Sequence, residues 1–122
     1  MDAQRESMLR KFQKELNAGT VSLVLLAMLE RSPEPMYGYE IAKGMSAGLG
    51  QDVPVKQGTL YPVLRSMEGN GLLTSRVEPS VSGPPRKYYS ITDHGRAVLL
   101  EWKAAWSRTR DFVDTTLEGN GG

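Results

Sequence analysis

A mainly helical fold with one small β-hairpin is what this 122-residue sequence predicts, and three observations carry it. Residues from Gln57 onward read as a short helix with an apolar stripe at Leu60, Val63 or Leu64, and Met67. Leu73, Ser75 and Val77 alternate with polar neighbours, as do Tyr89 and Ile91, and Pro79-Ser80-Val81-Ser82-Gly83-Pro84-Pro85 separates the two runs. From Thr92 a helical pattern continues for about twenty-five residues, or ~37 Å at 1.5 Å per residue. A helix followed by a hairpin whose return strand is entered through two cations is the layout of a winged helix-turn-helix. Here a long C-terminal helix is added to it. In that layout the helix enters the DNA major groove and the wing holds the phosphate backbone.

The N-terminal segment, residues 2–16, reads as an amphipathic helix. Met8 or Leu9, Phe12 and Leu16 recur at spacings of three and four, opposite Arg5, Glu6, Arg10, Lys11 and Lys14. Asn17-Ala18-Gly19 is expected to break it. The next helix, about 20–31, is apolar on nearly all sides from Val21 to Leu29, which marks a buried spine. Ser32-Pro33-Glu34-Pro35 ends it. A third helix, about 37–48, places Tyr37, Ile41 and Met45 at i, i+4 spacing, with Gly48 and Gly50 at its close. Asp52-Val53-Pro54-Val55 is extended, because a residue before proline is pushed out of the helical region, and Val53 and Val55 are candidates for a small third strand.

The helix that starts near Gln57 has a well-marked end. Gly71 suits the left-handed C′ position, and Leu72 can then meet Met67 in a Schellman arrangement. Pro62 lacks the donor for the carbonyl of Gly58 and should bend or tighten the first turn. The last helix has Thr92 as its N-cap and Asp93 in its first turn.

Composition bounds the function classes. Hydrophobic content of 39% and charged content of 24% are those of an ordinary soluble domain. The longest apolar run, Leu23 to Leu29, is far too short to span a membrane. The N-terminus carries no secretory apolar core, so a cytoplasmic location is expected. With no cysteine there is no disulfide, thiol nucleophile or thiolate metal site, and a single histidine, His94, does not make a zinc centre. His94 reads as a first-turn residue of the last helix. No catalytic residue, metal or cofactor is expected. Net charge is only +1, but residues 36–92 hold six cations against four acids, so the small positive excess falls where DNA would lie.

Five segments, in order and spacing, resemble the PadR family of bacterial transcriptional regulators. They are Tyr37-Gly38-Tyr39-Glu40-Ile41, then Gly58-Thr59-Leu60-Tyr61-Pro62-Val63-Leu64, then Gly71-Leu72-Leu73, then Arg86-Lys87-Tyr88-Tyr89, and last Ile91-Thr92 with Gly95. The resemblance covers roughly residues 20 to 115. It implies a homodimeric, sequence-specific DNA-binding regulator: a repressor on an inverted-repeat operator, released by a small aromatic inducer. The expected organisation is an N-terminal helix supporting the dimer (1–17), a winged-helix DNA-binding domain (18–92), a C-terminal dimerisation helix (93–118) and a disordered tail (119–122).

The candidate DNA contacts are Tyr37, Lys56, Gln57, Gly58, Thr59, Tyr61, Arg65, Arg86 and Lys87. Thr59 and Tyr61 lie off the apolar stripe, where a polar residue is either solvated or in contact with DNA, and the resemblance favours contact. Gly58 would allow close backbone approach to the duplex. Arg65 sits one turn from Tyr61 and suits phosphate, or guanine bidentately. Alternation puts Lys87 on the inner face with Tyr89 and Ile91, at an entrance from which its head can snorkel outward.

The candidate dimer contacts are Met8, Phe12, Leu99, Trp102, Trp106, Phe112, Val113 and Leu117. Trp102 and Trp106 share a helix face and read first as packing in a dimer seam. Trp106 also lies eleven residues after Gly95, which corresponds to the ligand-stacking tryptophan of multidrug-sensing members. Its helical neighbours include Lys103 and Arg110, which, if they point at the pocket, would favour an aromatic anion over an aromatic cation. The rival reading is a winged helix used only for protein–protein contact, without DNA.

Overall fold

The computed structural model describes residues 2–49 and 57–119, without the side chains of Leu49 and Gln57. The chain runs α1 (Ala3–Arg31), β1 (Met36–Tyr37), α2 (Gly38–Leu49), α3 (Gln57–Gly69), β2 (Leu73–Glu78), β3 (Arg86–Ile91) and α4 (Asp93–Glu118). The three strands form one antiparallel sheet in the order β1-β3-β2. The wing hairpin is in register from Leu73 opposite Ile91 to Glu78 opposite Arg86.

The core lies where α1, α2, α3 and the root of the wing meet the start of α4. Leu25, Leu26, Ile41, Met45, Leu60, Leu64 and Leu99 are fully buried, with Leu29, Met67, Leu72, Leu73, Tyr89 and Ile91 around them. The α3 stripe expected from periodicity is therefore the face that packs inward, and the polar face is left outside. The end of α3 follows the expected motif. Gly71 has φ 76°, its N–H donates to the Glu68 carbonyl at 3.0 Å, and the Leu72 N–H donates to the Met67 carbonyl at 2.9 Å. The apolar contact that completes a Schellman ending is supplied by Leu72 and Met67, both core residues.

Thr92 caps α4 as expected: its hydroxyl accepts from the Gly95 N–H at 2.9 Å and donates to the Gly71 carbonyl at 2.6 Å. One hydroxyl thus joins the start of α4 to the end of α3. His94 lies exposed in the first turn of α4. The far end of α4 closes at Gly119, which has φ 73°.

Three expectations are corrected or fall outside the described residues. The break at Asn17-Ala18-Gly19 is absent, and α1 is one helix of 29 residues. Glycine inside a helix costs about 1 kcal/mol relative to alanine, too little to interrupt a long helix. The Thr20 hydroxyl donates back to the Leu16 carbonyl at 3.0 Å, and Gln13 Nε2 donates to Asn17 Oδ1 at 2.8 Å, across the expected gap. Tyr37 is not in the helix. It pairs with Tyr88 in β1, and its N–H donates to the Glu40 carboxylate at 3.1 Å, one half of a capping box for α2. The suggested strand at Val53 and Val55 lies outside the described residues, as do Gly50, Lys56 and residues 120–122 of the tail.

Beyond the core, α1 and α4 carry little that the subunit covers. All buried residues of α1 fall at Leu25, Leu26 and Leu29, and those of α4 at Gly95 and Leu99. Of the described helices, none is long and apolar enough to cross a membrane.

Candidate nucleic-acid interface

A cleft of about 730 Å³ separates α3 from the wing. Its floor and sides are Tyr37 from β1, Gly38 and Tyr39 from the start of α2, Tyr61 and Arg65 from α3, and Arg86, Lys87 and Tyr89 from β3. Ser80, Ser82 and Gly83 to Pro85 of the wing loop close one end. Among the described residues that line it, three are cations and none is an acid.

Tyr61 is placed by a glycine. A Cβ on Gly38 would stand 3.2 Å from Tyr61 Cε1 and 3.3 Å from its hydroxyl, so the ring lies against the bare backbone of α2. Tyr37 is placed by stacking: its ring centroid is 6.3 Å from that of Tyr39 and 5.4 Å from that of Tyr88. The Arg86 guanidinium lies 4.6 Å above the Tyr37 ring. Tyr88, and after it Tyr37, push the Arg86 guanidinium further above its already high range. Arg86 therefore keeps its full charge, held on an aromatic face with its edge toward solvent.

Thr59 and Arg65 are exposed on the outer face of α3. Arg65 forms no ion pair with any described residue. Around Gly58 no atom of the described residues lies within 4 Å of a Cβ, so packing against them does not demand a glycine there.

Lys87 differs from the expectation of a head snorkelling outward. Its ammonium is 3.2 Å from the Glu68 carboxylate and 5.5 Å from the Tyr89 ring centroid. Arg76 is likewise paired, with Glu78 at 2.9 Å. Glu68 was not among the sequence candidates. It belongs to α3, accepts from the Ser75 hydroxyl on β2 and meets Lys87 on β3. The Ser75 hydrogen bond, more than Lys87, holds the Glu68 carboxyl below its ordinary range, and Glu68 in turn raises the Lys87 ammonium. One signal was present in the sequence: an acid in the last turn of a helix faces the negative end of its dipole, so it needs partners elsewhere.

The outer halves of α1 and α4 form a second feature. Phe12 is 57% exposed, Phe112 72% and Leu117 80%, with Met8 and Val113 also exposed. Leu99, expected at a dimer seam, is instead wholly inside the subunit's own core and has no surface to offer. Trp102 is half-buried against that core. Trp102 and Trp106 line a groove of about 470 Å³ with Leu16, Gly19 and Leu23 of α1. Lys103 and Arg110 do not line it: Lys103 is 3.6 Å from Glu30, and Arg110 is 3.2 Å from Asp111. Among the described residues, the charged side chain on the groove wall is Glu15, so the two cations expected beside a ligand are not on that wall.

A helix exposing its polar face beside a two-stranded wing, on a core shared with a long terminal helix, defines the chain as a winged helix-turn-helix protein. The profile of the Transcriptional regulator PadR-like family matches residues 25–101, and the chain belongs to that family. It is 35% identical to a PadR family transcriptional regulator from Eggerthella lenta DSM 2243, with a TM-score of 0.83 over 98% of this chain and 100% of that one. A PadR-like regulator from Bacillus cereus is 32% identical, with a TM-score of 0.71 over 87% and 99% of the two chains. The negative transcriptional regulator PadR of Bacillus subtilis is 31% identical over 65 residues, which are 53% of this chain and 36% of that protein.

Proposed function

We propose that the protein is a dimeric, sequence-specific DNA-binding repressor whose grip on DNA is released by a small aromatic ligand. The observation that carries the reading is the cleft between α3 and the wing, lined by Arg65, Arg86 and Lys87 with no acid among the described residues on its wall. In this reading α3 enters the major groove with Thr59 and Tyr61 toward the base edges. Gly58 lets the duplex come close, and Arg65 and Arg86 take phosphates on either side of the cleft. Tyr37 supports Arg86 by its ring and offers its hydroxyl to the backbone. Lys56 and Gln57 at the entrance of α3 complete the proposed contact set. Repression is supported by the match to the negative regulator of Bacillus subtilis.

Two subunits pair through the exposed apolar residues of α1 and α4: Met8, Phe12, Phe112, Val113 and Leu117, with the remaining surface of Trp102 and Trp106. Uncovered apolar area on this scale marks an interaction surface. Sedimentation should give twice the 13.5 kDa chain mass, and adding the duplex upstream of its own gene should shift the whole dimer. A species of 13.5 kDa at ~100 µM would remove the dimer.

The effector site is the Trp102–Trp106 groove. Its two indole rings suit a planar aromatic, and Glu15 suits a cation over an anion. Planar aromatic cations should therefore quench tryptophan fluorescence and release DNA, and a phenolic carboxylate of similar size should do so less well. Trp106→Ala should lose the response, and sedimentation of the same variant measures how much of the seam Trp106 carries. Tighter binding of the carboxylate would overturn the charge assignment.

A further inference from the structure

The clip formed by Glu68 has a consequence for the strength of DNA binding. Glu68 stands in the last turn of α3, yet its carboxylate faces the wing, bonded to Ser75 of β2 and Lys87 of β3. The Lys87 stem lines the cleft while its ammonium is turned onto Glu68. Both side chains of this pair keep contact with solvent, 44% exposed for Lys87 and 32% for Glu68. A pair so exposed contributes little to folding. Its larger effect is on the field of the DNA-facing surface, where it cancels one of the three cationic charges of the cleft.

We propose that Glu68 is a positioning residue that limits DNA affinity, clipping the wing to α3 and withholding the Lys87 ammonium from phosphate. The inference rests on the DNA-binding reading above. A phosphate that took over Lys87 would strip the Glu68 carboxylate of its counter-charge next to a polyanion, which opposes the exchange. Lys87 therefore stays with Glu68 in the complex, and the phosphate contacts fall to Arg65 and Arg86. Replacing Glu68 by glutamine keeps an oxygen for the Ser75 hydroxyl, so the wing stays attached, but frees the lysine.

The test uses the full chain and a labelled mixed-sequence duplex of about two helical turns. Binding is measured over a series of salt concentrations for wild type, Glu68→Gln, Lys87→Met and the double variant, with helical circular dichroism as the check on folding. Each added phosphate contact steepens the slope of log affinity against log salt by about 0.9. Glu68→Gln should bind more tightly than wild type at low salt, with a slope steeper by about 0.9 per subunit. The double variant should lose that gain, and Lys87→Met alone should weaken binding, because it strips Glu68 of its counter-charge beside the DNA. A folded Glu68→Gln protein with an unchanged slope or weaker binding overturns the inference and shows a clip that is only structural. A steeper slope that survives in the double variant also overturns it, since the gain would then not run through Lys87. A wild-type protein that binds no duplex overturns the DNA-binding reading itself, and this inference with it.

Discussion

Gly95→Ala is expected to destabilise the protein by about 3 kcal/mol, the upper end of what overpacking costs, and to lower Tm by on the order of 10 °C. A Cβ at this position would stand 2.2 Å from the Leu72 carbonyl oxygen and 2.8 Å from Ile91 Cγ1. The first of these is backbone, which cannot rotate away. The same carbonyl accepts the Thr92 N–H at 3.1 Å and the Thr92 hydroxyl at 3.2 Å, so moving it disturbs the cap of α4 as well. Gly19→Ala is the control. No atom lies within 4 Å of its Cβ, and alanine in a helix should stabilise by up to about 1 kcal/mol. Thermal unfolding of both variants decides the matter. If Gly95→Ala melts with wild type, the close seat of α4 on the end of α3 is wrong.

Replacing Arg65 and Arg86 together by alanine should reduce DNA affinity by about tenfold or more at low salt. The two residues lie on different elements, one on α3 and one on β3, and meet only across the cleft. Both are exposed and neither belongs to the core, so the double variant should keep wild-type helicity, melting and dimer mass. Loss of affinity with an intact dimer separates a role at the DNA surface from a role in folding.

Much of this arrangement is written in local signals. The ending of α3 follows from Gly71 and Leu72, because a left-handed glycine followed by an apolar residue satisfies a helix end wherever it occurs. The Thr92 cap and the wing strands are equally local, resting on one side chain or on a period of two. What escaped the sequence is tertiary. β1 has two residues, too few for any periodicity, and exists because Tyr37 and Met36 pair with Tyr88 and Tyr89 some fifty residues away. Gly19 looked like a breaker because propensity is read locally, whereas a helix of 29 residues absorbs one unfavourable position.

The candidate site shows the same division. Periodicity put Leu99 on an apolar face but could not say whether its own subunit or a partner covers that face. The core takes it entirely. Lys103 and Arg110 are one turn from Trp106 on either side, yet Glu30 and Asp111 hold their charges, and Glu15 from another helix faces the groove. Lys87 and Glu68 are nineteen residues apart, and only the hairpin fold brings them to 3.2 Å. Lys87 and Arg76 each sit on a carboxylate, which among the described residues leaves Arg65 and Arg86 as the cleft cations without an ion-pair partner.

The most direct test of the central claim is the salt dependence of duplex binding by the wild-type protein, measured beside the Arg65 and Arg86 double variant. If the face between α3 and the wing holds phosphate, log affinity should fall linearly with log salt. The double variant should follow a line shallower by about 1.8 per subunit, two contacts at about 0.9 each. Binding that is indifferent to salt, or a double variant whose line matches wild type, would contradict the account and favour a winged helix that contacts protein through an apolar surface.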